Sequence, residues 1–255
     1  MKVLATYNLK GGVGKTSAAV NMASLSAMDG LATLIWDLDP QGSATFLFRV
    51  RPKVRGGARK LVRGRSEVAE LLRGTDVPGL DLLPADFSYR HLDLVLDDTK
   101  NPTARLRRVL APLEQDYEVA VLDCPPSISL VSESVFEGAD ALLVPLVPTS
   151  LAVRSFEQLV DFVSSRVDHP PAILAFLSMV DRRKRLHCQL AEELPERHPS
   201  ILRTAIPSMT DIERMGVLRQ PLPLASPAGA ATRAYAALWA EVTARLRLGP
   251  GVTDG

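Results

Sequence analysis

The sequence predicts an α/β fold: a single domain built on a mostly parallel, twisted sheet with helices on both faces. Three observations carry that expectation. Short apolar runs alternate with amphipathic stretches along nearly the whole chain, the pattern of parallel strands joined by helical crossovers. The run Ala-Leu-Leu-Val-Pro-Leu-Val at 141–147 is apolar throughout, as a strand covered on both faces must be. Between the first apolar run and the first helical pattern stands Lys10-Gly11-Gly12-Val13-Gly14-Lys15-Thr16, a glycine-rich turn where a strand passes directly into a helix.

Taken in order, strands are expected at 3–7, 32–37, 80–83, 119–123, 141–147, 173–180 and 202–206. Helices are expected at 16–28, 103–113, 150–167, 183–197 and 228–248, with Tyr235, Leu238, Trp239, Val242 and Leu246 forming an apolar stripe on the last. Thr210-Asp211-Ile212-Glu213 has capping-box spacing and opens a short helix. No linker divides the chain, so residues 1–248 read as one domain and 249–255 as a short disordered tail.

Composition narrows the function classes. Hydrophobic residues make up 46% of 255 positions and the formal net charge is +1, so a large core is affordable and nucleic-acid affinity would have to come from local patches. The first strand starts too early for a signal peptide, and no apolar run reaches the ~18 residues of a spanning helix. A soluble, intracellular protein is expected. Cys124 and Cys188 lack the spacing of a disulfide framework or zinc site. Cys124 reads as a small buried residue, and His91, His169, His187 and His198, scattered among polar neighbours, receive no role.

The glycine-rich turn has the composition of a phosphate-binding loop. The plain template, Gly, four free residues, then Gly-Lys-Ser/Thr, would place its first glycine at Asn8 or Leu9, so this is a variant with two lysines. Gly11, Gly12 and Gly14 let successive N–H groups, with that of Val13 between them, turn inward to phosphate oxygens. The helix beginning at Thr16 and Ser17 aims its dipole at the same anion. Lys15 would grip the β- and γ-phosphates, and the Thr16 hydroxyl would ligate magnesium. Lys10 lies too far back to serve its own nucleotide and is better placed to reach one held by a facing copy.

Two further strand ends carry acids. Asp37-Leu38-Asp39-Pro40 places two carboxylates on one side of an extended chain that Pro40 then stops. Asp123 follows the apolar run 119–122, the arrangement in which an acid holds magnesium through water. In parallel sheets ligands gather at the carboxyl ends of strands, so these ends are collected into one site.

The string Lys10-Gly-Gly-Val-Gly-Lys-Thr16 resembles the deviant Walker A motif of the ParA/MinD family of P-loop ATPases, and the similarity extends from residue 2 to about 247. The resemblance implies ATP and Mg2+ as cofactors and a homodimer in the ATP state. Lys10 would be the signature lysine, Asp39 would position the attacking water, Asp37 would help organise the magnesium shell, and Asp123-Cys-Pro-Pro126 would be the second switch. It further implies adenine contacts from the end of the sixth strand, at Met179 and Asp181, and from the backbone beside Pro207. A ParB-like or cargo-adaptor partner would stimulate hydrolysis, and the location implied is cytoplasmic and nucleoid-associated. A metabolic synthetase or amidotransferase on the same fold, as in cobyrinic acid diamide synthases, is the rival. No segment is left over for its second domain.

Partners are sought in charge. Arg49, Arg51, Lys53, Arg55, Arg59, Lys60, Arg63 and Arg65 fall in a stretch with no acid between Asp39 and Glu67. Pro52, Gly56, Gly57 and Gly64 mark it as a loop and not a helix. A second cluster, Arg182, Arg183, Lys184 and Arg185, lies beside the expected adenine pocket. With no aromatics among them, non-specific contact to a duplex backbone is expected rather than base stacking. The tail 249–255 offers no apolar face to a membrane.

Overall fold

The computed structural model describes residues 1–64 and 67–248. Seven strands form one sheet: β1 Lys2–Thr6, β2 Thr33–Asp37, β3 Arg73–Gly74, β4 Leu80–Leu83, β5 Val119–Asp123, β6 Ala141–Leu146 and β7 Ala172–Leu177. Their order is β3-β4-β2-β5-β1-β6-β7, and every pairing is parallel except that of β3 with β4. The helices are α1 Lys15–Met28, α2 Ser43–Leu47, α3 Gly57–Val62, α4 Leu92–Asp97, α5 Arg105–Leu110, α6 Leu130–Gly138, α7 Ser150–Arg166, α8 Arg185–Arg197, α9 Thr210–Leu218, α10 Leu222–Ala225 and α11 Ala230–Leu246. The sheet divides the core in two. One side packs Tyr7, Trp36 and Phe136, and the other packs Ile35, Phe176 and Trp239.

β2, β5 and β6 are buried along their whole length, which is why they read as unbroken apolar runs. Helix α1 buries residues on nearly all sides, made possible by the small Ala18, Ala19, Ala23, Ser24 and Ala27. The apolar stripe of α11 is core, as its spacing implied: Tyr235, Leu238, Trp239 and Val242 are buried, and the Trp239 indole donates to Asp29 Oδ2 at 2.7 Å.

Four expectations are corrected. Residues 202–206 are not a strand: isolated parallel bridges join Ile201 to Ala175 and Pro207 to Val180. Between them the chain swings out, and the amides of Arg203 and Thr204 donate to the Glu241 carboxylate at 2.8 and 2.9 Å. The strand expected at 173–180 stops at Leu177, because Met179 turns into the left-handed region at φ 57°. The 49–65 stretch is not loop throughout, since α3 lies within it. Gly56 and Gly57, at φ 86° and 65°, stand at its start, while Ala58, Leu61 and Val62 make a buried helical face. Thr210 is the first residue of α9 and not its cap; the capping position is Met209, in extended backbone with no side-chain bond. Arg65 and the tail 249–255 lie outside the described residues.

Candidate functional site

Register brings the three strand ends together. Thr6 pairs with Asp123 across β1 and β5, and Asp37 pairs with Asp123 across β2 and β5. The glycine loop leaves β1 at the same level. Asn8 pins its start, donating through Nδ2 to the Pro145 carbonyl at 2.7 Å and accepting the Lys10 amide at 3.0 Å. Gly12 and Gly14 take φ of 70° and 99°, a conformation open to glycine. A Cβ on Gly14 would also meet Ser178 Oγ at 2.9 Å, so the loop is packed against the end of β7.

Lys15 is buried, and its ammonium donates to the Lys10 carbonyl at 3.1 Å. Burial lowers its pKa, against the opposing pull of Asp123, Cys124 and Asp39. Asp37 is fully buried; its Oδ2 accepts both the amide and the hydroxyl of Thr45, at 2.8 and 2.7 Å, and its Oδ1 accepts the Asp39 amide at 3.2 Å. Burial pushes it up to about 6, and the Asp39 charge adds to the rise while the Thr45 bonds oppose it. Asp39 stands half-exposed at the rim, with Oδ1 accepting the Gln41 amide at 2.9 Å. Asp123 is raised well above the usual carboxylate range by burial and by Asp37, with Thr16 and Lys15 pulling the other way.

One atom stands apart. Asp123 Oδ2 is buried without a hydrogen-bond partner among the described residues, whereas Oδ1 receives the Thr6 hydroxyl at 3.4 Å. An orphaned carboxylate oxygen costs about 1–3 kcal/mol or more unless something else satisfies it. No three of His, Cys, Asp and Glu among the described residues group closely enough to cage a metal alone. The orphaned Asp123 oxygen fits magnesium, which keeps several waters and binds few protein groups directly. Here the Thr16 hydroxyl would be a direct ligand, and Asp123 and Asp37 would act through water.

The loop opens onto a cavity of about 660 Å3, in the range of small-molecule sites. Gly11, Gly12, Gly14, Lys15, Thr16, Ser17 and Asp39 line one side; Ser178, Met179, Ile206, Pro207 and Ser208 line the other. Met179 and Pro207, expected at the adenine, both border this cavity. Asp181 does not border the cavity: its carboxylate is held by the Arg183 guanidinium at 2.9 Å and kept far below its ordinary range by it. Phe46, Met209, Ile212, Met215 and Tyr235 also line the cavity and were missed. They are apolar positions on helices or beside them, and nothing in their spacing distinguishes them from core. Lys10 is exposed and borders a separate hollow with Val147, Thr149 and Ser155.

The basic stretches are partly neutralised by acids distant in sequence. Arg49 pairs with Asp76, and Arg63 and Arg59 approach Asp98 at 2.6 and 3.8 Å. Arg51, Lys53, Arg55 and Lys60 are exposed, and so are Arg182, Lys184 and Arg185. Phe87, exposed beneath the Arg90 guanidinium at 3.9 Å, stands on the segment that receives the Val54 and Ala58 amides. An aromatic absent from the linear stretch is thus present beside it. Cys124 is buried, as expected. His187, given no role by the sequence, is buried too, and its Nδ1 accepts the Asp181 amide at 3.1 Å.

A family model described as an AAA domain matches residues 1–172. The chromosome partitioning protein ParA of Caulobacter vibrioides is 31% identical over 97% of this chain and 96% of its own length. The sporulation initiation inhibitor protein Soj of Bacillus subtilis is 28% identical, covering 95% of this chain and 98% of its own. Among solved structures, cobyrinic acid a,c-diamide synthase from Mycobacterium smegmatis, with bound ATP analog and magnesium, superposes with a TM-score of 0.80 at 25% identity. The match covers 97% of this chain and 96% of that one. No helix among the described residues is long and apolar enough to cross a membrane. With strand ends, glycine loop and full-length relatives in agreement, the chain belongs to the ParA/MinD family of P-loop ATPases.

Proposed function

We propose that this chain is a partition or positioning ATPase that closes as a homodimer on ATP, holds duplex DNA in that state and releases it after hydrolysis. The observation that carries the reading is the buried Asp123 oxygen, without a hydrogen-bond partner among the described residues and close to Thr16 and Lys15 of the glycine loop and its helix. The amides of Gly11, Gly12, Val13 and Gly14 and the ammonium of Lys15 bind the phosphates, and Ser17 extends the helix terminus toward them. Thr16, Asp37 and Asp123 hold magnesium, which when bound neutralises charge on the phosphate oxygens. Asp39, at the rim, orients the attacking water. Met179 and Pro207 border the base, and Asp181 acts behind them, by positioning Arg183 and the loop.

The exposed Lys10, turned to a hollow outside the cavity, supports a role in a neighbouring copy's site. Ile128, Leu151 and Leu186, exposed in the segments that follow β5, β6 and β7, supply apolar area for such a contact. Arg51, Lys53, Arg55, Arg59 and Lys60, or Arg182, Arg183, Lys184 and Arg185, contact the duplex backbone. A ParB-like or cargo-adaptor protein accelerates turnover.

The test is retention on duplex DNA with ATP, with ADP and with Lys15→Ala, across a salt series, beside phosphate release. ATP-specific retention that weakens with salt is expected; equal retention in all three arms removes the DNA switch and leaves the ATPase. Lys10→Ala is expected to remain monomeric with ATP, as read by light scattering. A second reading, ATP-dependent amide formation, is favoured by the named activity of the Mycobacterium smegmatis structure. That chain is matched almost end to end, so length does not separate the readings. ATP turnover that depends on ammonia or glutamine and a carboxylic acid substrate would favour it.

A further inference from the structure

Thr45 is completely buried in α2, the short helix that follows the Asp37-Leu38-Asp39 strand end. Its amide and hydroxyl both donate to Asp37 Oδ2, at 2.8 and 2.7 Å, and its hydroxyl oxygen accepts the Ala85 amide at 2.8 Å. The second oxygen of Asp37 receives the Asp39 amide at 3.2 Å. One carboxylate is therefore gripped by α2 on one side and holds the backbone of Asp39 on the other. Beyond Ala85, the Asp86 carboxylate accepts the Val54 amide and Ser88 Oγ accepts that of Ala58, both at 2.8 Å. The bonded path thus leads from the carboxylates of the site to the basic stretch.

We propose that Thr45 is a positioning residue for hydrolysis: it sets the Asp37 carboxylate, and through it the backbone of Asp39, and anchors both to Ala85. The inference rests on the ATPase reading above. Without the hydroxyl, Asp37 keeps a single donor on Oδ2 and Ala85 loses its acceptor in a dry interior. Asp37 is then free to turn, and Asp39 moves with it. A displacement of about 1 Å at a water-orienting group costs on the order of 10²-fold in rate.

Packing and positioning make opposite predictions for two substitutions. Thr45→Val keeps the shape and deletes the hydroxyl, whereas Thr45→Ser keeps the hydroxyl and deletes a methyl. Phosphate release is measured for both, with binding of a fluorescent ATP analogue in the absence of magnesium and a thermal melt as controls. For Thr45→Val, kcat is expected to fall about tenfold or more while analogue affinity stays within about threefold of the parent. Thr45→Ser is expected to retain kcat within about threefold. The reverse order, Val harmless and Ser impaired, overturns the proposal. Should the Val variant fail to fold, Thr45→Ala against Thr45→Ser isolates the hydroxyl, and equal kcat in that pair also overturns it. If the parent chain shows no ATP turnover, the ATPase reading falls. The clamp is then judged by amide exchange at Asp39 and Ala85, expected to be faster in Thr45→Val than in Thr45→Ser; unchanged exchange overturns it.

Discussion

One wall of the cavity is built on the glycine loop that follows β1: Lys15, Thr16 and Asp39 line it, while Asp37 and Asp123, in register at the ends of β2 and β5, are fully buried and do not border it. Across the cavity the wall is irregular backbone at 178–179 and 206–208, backed by α9 and α11, and its surface is largely apolar. The first wall is specified by charge, the second by shape. Substitutions on the two sides should therefore fail differently, in chemistry on one and in binding or stability on the other.

The sharpest cut is Lys15→Ala. Removing a preorganised cation from developing charge costs about 3–4 kcal/mol, or roughly 10²–10³-fold in phosphate release. Retained turnover would break the assignment of that wall to phosphate chemistry. Asp37→Asn sharpens the contrast from the stability side. An acid whose folded value is pushed up to about 6 binds more protons folded than unfolded. Its contribution is fully present below the ordinary carboxylate value near 4 and is lost as pH rises through about 6. The Asn variant, whose amide does not titrate, should show a weaker pH dependence of stability between about 4 and 6 than the parent, while the buried Asp123 keeps part of it. A flat parent profile in urea titrations over that window would refute the buried-charge account.

On the shape side the expected effects are smaller. Glu241 is pushed up by burial, but the bonds from Arg203 and Thr204 outweigh this and hold its pKa below the usual value. Glu241→Ala frees two partly solvated amides and should cost about 1–2 kcal/mol of stability in denaturant titration. It should raise KM for ATP more than it lowers kcat. An unchanged KM would mean that the 203–204 excursion does not shape the base wall. Smallest is Arg63→Ala, which breaks a pair with the exposed Asp98 at 2.6 Å. A loss under about 1 kcal/mol is expected, with weaker duplex retention only if α3 carries the contact.

The same contrast explains what was legible. Six of the seven expected strands are present within three residues at each end, because burial on both faces writes a continuous apolar run. That the glycine loop and the acids at 37 and 123 stand at neighbouring strand ends was legible because each follows its apolar run directly. Phe46, Ile212, Met215 and Tyr235 were not, since an apolar residue facing a cavity has the same pattern as one facing the core. Residues 202–206 look like a strand locally, but the amides of Arg203 and Thr204 in their middle bond to Glu241, far along the chain, while those of Leu202 and Ile206 bond to β7. Gly56 and Gly57 argued against a helix because glycine weakens helix interiors, yet here they stand at its start. Charge was misjudged for a related reason: Asp76 and Asp98, which engage Arg49, Arg59 and Arg63, are neighbours only after folding.

Both margins of the sheet are closed by the chain itself. Beyond β4 lies the two-residue antiparallel β3, beginning with the exposed Arg73, and beyond β7 the bridges at Ile201 and Pro207 take up backbone groups that a foreign strand would need. A sheet guarded in this way offers no long template for sideways growth. Any self-association would then be written in side chains, which can be rewired by a bound ligand, and not in a ladder of main-chain bonds, which would hold whatever the ligand.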